Sequence, residues 1–113
     1  MWSLYTTEKK VTDPQEVEWG LFIQYVEAYL NNVDSIMVQK SQPGIRFIKE
    51  GEEFDVEYAS NVIRKQKNRL GNEPLLLNVQ ALKVSMEGQN ITFFVTFFNG
   101  QQKEHTMYVT YSK

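Results

Sequence analysis

His105 is the only histidine in the chain, so any chemistry that depends on an imidazole must begin there. A catalytic triad, a histidine-based metal site or a proton relay needs a partner group beside it. With no cysteine present, thiolate ligand sets are absent as well. His105 falls in an alternating stretch, which reads as a structural or surface histidine on a strand. The densest acidic run is Glu50, Glu52, Glu53, Asp55 and Glu57. A calcium loop would gather its oxygen ligands around a tight turn. Here Glu53, Asp55 and Glu57 alternate with Phe54, Val56 and Tyr58, which places the carboxylates on the wet face of one strand. Arg64, Lys65, Lys67 and Arg69 form the densest basic patch. It offers a contact for DNA phosphates or an acidic partner. It reads first as a charged strand end and loop that guards an edge. Asn90-Ile91-Thr92 matches a glycosylation sequon by chance, since Ile91 opens a core strand.

No phosphate-binding loop, dinucleotide fingerprint, nucleophile elbow or paired-histidine helix motif occurs. The reading is therefore of a non-enzyme with no catalytic residue, no cofactor and no metal site.

Around these residues the elements are legible. Asp13-Pro14-Gln15-Glu16 is a helix start, with a capping aspartate, proline at the first helical position and a glutamate at the capping-box position. Val17, Leu21, Phe22, Tyr25, Val26, Tyr29, Leu30 and Val33 then recur at three- and four-residue steps, predicting an amphipathic helix over 13–33. Beyond residue 34 the period becomes two. Ile36 and Val38, Ile45 and Phe47, the set Phe54, Val56 and Tyr58, and Val62-Ile63 alternate between turns at Pro43-Gly44, Glu50-Gly51 and Ala59-Ser60-Asn61. Gly71-Asn72-Glu73-Pro74 reads as a loop before Leu75-Leu76-Leu77. Leu82, Val84 and Met86, then Ile91, Phe93, Val95 and Phe97, then Met107, Val109 and Tyr111 complete the pattern, with Asn99-Gly100 as a hairpin signal. Phe94 and Phe98 lie opposite Phe93 and Phe97, as expected of a central strand covered on both faces. The plan is α+β: one N-terminal helix packed on an antiparallel sheet of six or seven short strands. It forms one domain, with 1–12 as a lead-in segment and 34–113 as the β region.

Composition narrows the function. The 113 residues carry twelve Lys plus Arg against fourteen Asp plus Glu, a formal charge of −2. Proteins that hold DNA through its phosphates show a basic excess, so direct nucleic-acid contact is weak at most. Seven Phe, six Tyr and two Trp are enough for one core. No run approaches the ~20 apolar residues of a membrane helix.

One set of motifs resembles a known family. Glu18-Trp19-Gly20-Leu21-Phe22, continuing to Glu27, is similar to the opening of the exported part of ComGF proteins. Gly44-Ile45-Arg46-Phe47, Tyr58 and Asn61 to Gln66 resemble that family's strand and basic segment. Gly71 to Leu76 with Val79, and Ile91 to Asn99-Gly100 with Lys103-Glu104, resemble its later loop and last hairpin. The likeness covers about residues 16–110. It implies a minor pseudopilin of the Gram-positive competence machinery, built like type IV pilins and working beside other minor pseudopilins in DNA uptake. It also implies a membrane helix upstream and a domain on the extracellular side of the cell membrane, within a cell-surface pilus. This sequence lacks that helix, so Met1 reads as an introduced start. Trp2, Trp19, Tyr25 and Tyr29 are the named candidates for partner contact, since large aromatics often anchor interfaces. Two alternatives remain: a small-molecule or peptide binding module of the cystatin or nuclear-transport-factor type, with a cavity between helix and sheet, and DNA contact through the basic patch.

Overall fold

The computed structural model describes residues 14–112. Asp13 and the lead-in segment, with Trp2, lie outside the described residues. Helix α1 spans Pro14–Tyr29, starting at the proline whose missing N–H costs nothing there. Trp19, Phe22, Ile23, Val26, Tyr29 and Leu30 turn inward. The helix stops four residues short of the expected end. Asn32 takes a left-handed φ of 66°, and the ammonium of Lys49 reaches across to donate to the carbonyls of Ala28, Tyr29 and Asn31 at 3.3, 3.3 and 2.6 Å. A cation from a neighbouring strand thus satisfies the orphan carbonyls that α1, with no basic residue in its last turn, leaves open.

Among the described residues eight strands follow, in two sheets rather than one. The larger is a five-stranded antiparallel meander, β1 (Ser35–Val38), β2 (Gly44–Lys49), β3 (Glu52–Ala59), β4 (Val62–Lys67) and β5 (Leu70–Leu76), in that spatial order. The smaller is β6 (Val79–Glu87), β7 (Asn90–Phe97) and β8 (Gln102–Tyr108). The extra strand is β5. Its Gly71 and Pro74 argue for a loop, yet β5 is an edge strand with two register shifts against β4, the setting where such residues are tolerated. The β4–β5 turn is equally hard to read, because Asn68 and Arg69 both take positive φ, at 53° and 63°. Arginine is not a turn-forming residue.

Gly44 meets a real constraint. At its φ of 153°, a Cβ would lie 2.5 Å from the Val56 carbonyl oxygen and 2.6 Å from the Glu57 Cα.

Helix α1 packs inward across both sheets. Trp19 and Phe22 meet Phe97 and Phe93 of β7, at ring separations of 6.5 and 5.9 Å. Tyr29 meets Phe47 and Phe54 of the five-stranded sheet at 5.7 and 5.2 Å. Between helix and sheets the space is filled by these rings with Ile45, Ile63, Leu76, Leu82, Ile91 and Met107. The sheets meet where Val79 N–H donates to Asn61 O and the Tyr58 hydroxyl to Gln80 O, both at 2.9 Å. The chain's last described residues return to the segment that follows the helix, with Val33 N–H on Thr110 O at 2.9 Å and Ser112 N–H on Val33 O at 2.8 Å.

Two packing expectations are corrected. Val17 and Leu21, assigned to the buried helix face, are 49% and 60% exposed, because the inward side is already taken by Trp19, Phe22, Ile23 and Val26. Strand β7 is covered on one face: Phe98 is 56% exposed and Phe94 half-buried, with no described element over them.

Candidate interaction surface

Two members of the acidic run, Asp55 and Glu57, do not lie on a wet face. Asp55 and Glu57 are 1% and 4% exposed, although they stand on the side of β3 opposite Phe54 and Val56. Their cover is a single layer of long side chains. Arg46, directly across from Asp55 in the β2–β3 register, donates to it at 2.7 Å, and Arg64, directly across from Glu57, donates to that carboxylate at 2.8 Å. The Gln39 amide bridges the two carboxylates at 3.2 Å each. Glu53 joins Arg46 at 3.2 Å and Arg69 at 3.0 Å. The hydrogen bond with Asp55 holds the Arg46 guanidinium even more firmly charged than usual. Alternation in the sequence located the face correctly but could not reveal its cover, because the covering residues come from β2 and β4.

The basic patch is divided by the pleat. Lys65 and Lys67 share the inner side of β4 with Ile63, whereas Arg64 points to the outer side. Each cation faces a carboxylate: Arg64 Glu57, Lys65 Glu73 at 3.2 Å, Lys67 Glu52 at 2.9 Å and Arg69 Glu53. Lys65 is the most enclosed. Its ammonium donates to the Tyr29 hydroxyl at 2.9 Å and sits 4.9, 5.4 and 5.9 Å from the ring centres of Tyr29, Tyr25 and Phe54. Burial alone would lower its pKa, but hydrogen bonds with the tyrosine hydroxyls and Glu73 outweigh that and raise it, so Lys65 stays a cation. Burial pushes the Tyr25 hydroxyl up, and the hydrogen bond from Lys65 draws the Tyr29 hydroxyl down. Tyr25 and Tyr29 are thus engaged in a clamp that ties α1 to β4.

His105 pairs with Glu27: its Nε2 lies 2.9 Å from Glu27 Oε2, with both side chains more than a third exposed. Lys103 and Glu16 form a second bond between α1 and β8, at 2.5 Å. These bonds fix the helix over the smaller sheet. No group of three or more metal-ligating side chains occurs among the described residues. Trp19 packs at the core margin, 5.8 Å from the Phe22 ring.

Three features escaped the sequence reading. The outward side of α1 carries Val17, Gly20, Leu21, Gln24 and Ala28, all exposed and none charged. A notch of about 170 Å³ lies beside it, lined by Leu21, Phe22, Tyr25, Glu73, Pro74 and Leu75. On the far side of the molecule, a shallow concavity of about 520 Å³ lies over the outer face of the three-stranded sheet, lined by Lys83, Ser85, Thr92, Phe94 and Glu104 among others. The signal for the helix stripe was present, since the apolar residues of 17–30 extend around more than one side. The sheet concavity had a signal too, in Phe94 and Phe98.

A family model described as "Putative Competence protein ComGF" matches residues 4–103. No curated protein and no solved structure matches the chain.

Proposed function

The chain belongs to the ComGF family of competence pseudopilins, and from that premise we propose that it is a non-enzymatic minor pseudopilin subunit, assembling with other pseudopilins in a type IV-like competence pilus that supports DNA uptake. The match over residues 4–103 is the observation that carries this reading. Physical chemistry supports it. His105 and the charged runs are engaged in contacts that hold the fold, while the helix exposes an apolar side suited to partners. In this reading a membrane helix precedes the domain and holds it on the extracellular side. No helix among the described residues is itself long and apolar enough to cross a membrane. Trp2 and the margin of Trp19 belong to the partner-facing surface, whereas Tyr25 and Tyr29 contribute through the clamp. A DNA phosphate at Arg64, Lys65, Lys67 or Arg69 would have to displace the carboxylate each now faces.

A second reading, a peptide or small-molecule binding module, is favoured by the concavity over Phe94, with Lys83 and Glu104 in register on either side of it. The cavity between helix and sheet on which that reading first rested is filled.

Co-expression with the other competence pseudopilins of the same cell decides between them. The proposal expects a stoichiometric complex that survives size-exclusion chromatography. A chain that elutes alone with every pseudopilin removes the proposal.

A further inference from the structure

An ordinary surface helix turns charged side chains to water. Helix α1 confines its exposed charges to the flanks of an uncharged stripe. Pro14, Val17, Gly20, Leu21, Gln24 and Ala28 fall on its outward side and carry no charge, with Val17 49% and Leu21 60% exposed. Gly20 lies within this stripe, and a Cβ there would meet nothing within 4 Å among the described residues, so the backbone is open to close approach. Its presence forgoes helix propensity without a close contact among the described residues to offset it. The notch lined by Leu21, Pro74 and Leu75 adjoins the stripe and has room for one inserted side chain.

The long margins of this surface are acidic, and one cation, Lys49, sits at its C-terminal end on the carbonyls of Ala28 and Tyr29. Helix α1 contains Glu16, Glu18 and Glu27 and no lysine or arginine. Glu73 borders the notch on the other side. The carboxylate side chains of Glu16, Glu27 and Glu73 are 57%, 47% and 55% exposed, while Lys103 and Lys65, the partners of Glu16 and Glu73, are only 17% and 14% exposed and His105, the partner of Glu27, is 37% exposed. Glu18 forms no ion pair among the described residues. An approaching partner therefore meets an apolar stripe with acidic long edges, Lys103 and Lys65 lying behind them.

We propose that the outward stripe of α1 and the notch beside it dock an amphipathic helix of a partner subunit whose apolar seam is flanked by lysines or arginines. A second copy of this chain would set acidic rim against acidic rim, which like-charge repulsion opposes. The partner's chemistry follows from this surface alone; that the partner is a pseudopilin rests on the function proposed above.

The test uses the full chain and synthetic helical peptides of about 18 residues, long enough to hold a helix. One peptide has a leucine seam flanked by lysines, a second has the same seam flanked by glutamates, and a third has the lysines without the seam. Fluorescence anisotropy is expected to show the first binding at least roughly tenfold more tightly than either of the others. Leu21→Glu should weaken it by roughly tenfold or more with the melting temperature unchanged. Gly20→Ala should raise the melting temperature while weakening the peptide, a pairing that a purely structural role for the stripe does not produce. Equal binding of the two lysine peptides, or no binding at all, overturns the proposal. So does self-association in sedimentation that Leu21→Glu abolishes, or tighter binding in a Trp2→Ala, Leu4→Ala variant, which would assign the stripe to the chain's own leading residues. A pseudopilin complex that survives Leu21→Glu leaves the subunit role standing and removes only this surface. Peptide binding without any pseudopilin complex does the opposite.

Discussion

The two sheets present their outer faces to water in different ways. On the five-stranded sheet the face is closed by interlocked charge, running from Arg69 through Glu53, Arg46, Asp55, Gln39 and Glu57 to Arg64. Cross-strand register makes this possible, because Arg46 and Arg64 stand directly beside Asp55 and Glu57. On the three-stranded sheet Lys83, Phe94 and Glu104 are also in register across the strands, but the aromatic ring separates the two charges. Lys83 and Glu104 form no ion pair among the described residues. The same alternating pattern thus yields a closed face where opposite charges fall on adjacent strands, and an open face where an apolar residue falls between them.

That contrast can be broken by substitution. The largest effect belongs to Gly44→Ala, which forces a Cβ into the β3 backbone under the closed face. Urea denaturation should show a loss of about 3 kcal/mol or more, and a loss below about 1 kcal/mol would mean that the β2–β3 contact yields easily. Asp55→Ala comes next. It removes the shortest bond of Arg46, leaving Glu53 at 3.2 Å, and one of the acceptors of the Gln39 amide, and a loss of about 2 kcal/mol is expected. On the open face, Lys83→Ala and Glu104→Ala should each stay within about 0.5 kcal/mol of the parent, alone or combined. A coupling beyond that range would show that the two charges interact after all.

Acid titration sharpens the same comparison with the smallest effect. Asp34 borders the five-stranded sheet, and the hydrogen bonds from the Ser112 hydroxyl and then from Gly51 N–H hold its carboxyl below the usual range. A depressed folded pKa means that its contribution is complete above the unfolded value, about 3.9, and fades as pH falls through the folded one. Asp34→Asn should flatten that acid limb of the stability curve. An unchanged limb would remove Asp34 from the account.

Much of this architecture is written in local pattern. The helix start at Pro14, the pairing of β6 with β7 and the turn at Asn99-Gly100 all follow from periodicity and turn residues. Where the outcome depends on neighbours distant in sequence, pattern fails. Strand β5 carries a glycine and a proline that only an edge position excuses. The helix ends early with a lysine twenty residues away as its cap. Alternation cannot tell a solvated aspartate from one covered by an arginine of the next strand, and so Asp55 was misplaced. The basic patch looked contiguous because sequence does not display the pleat that sends Arg64 away from Lys65.

The central claim is that this domain works through its surfaces and not through reactive side chains. Transformation frequency measures that directly, in cells whose only copy carries His105→Gln or Leu21→Glu, each confirmed folded by circular dichroism. The account predicts that His105→Gln stays within about threefold of the parent while Leu21→Glu falls at least about tenfold, the loss of one interface anchor. A folded His105→Gln protein that abolishes transformation, with Leu21→Glu fully active, would contradict it.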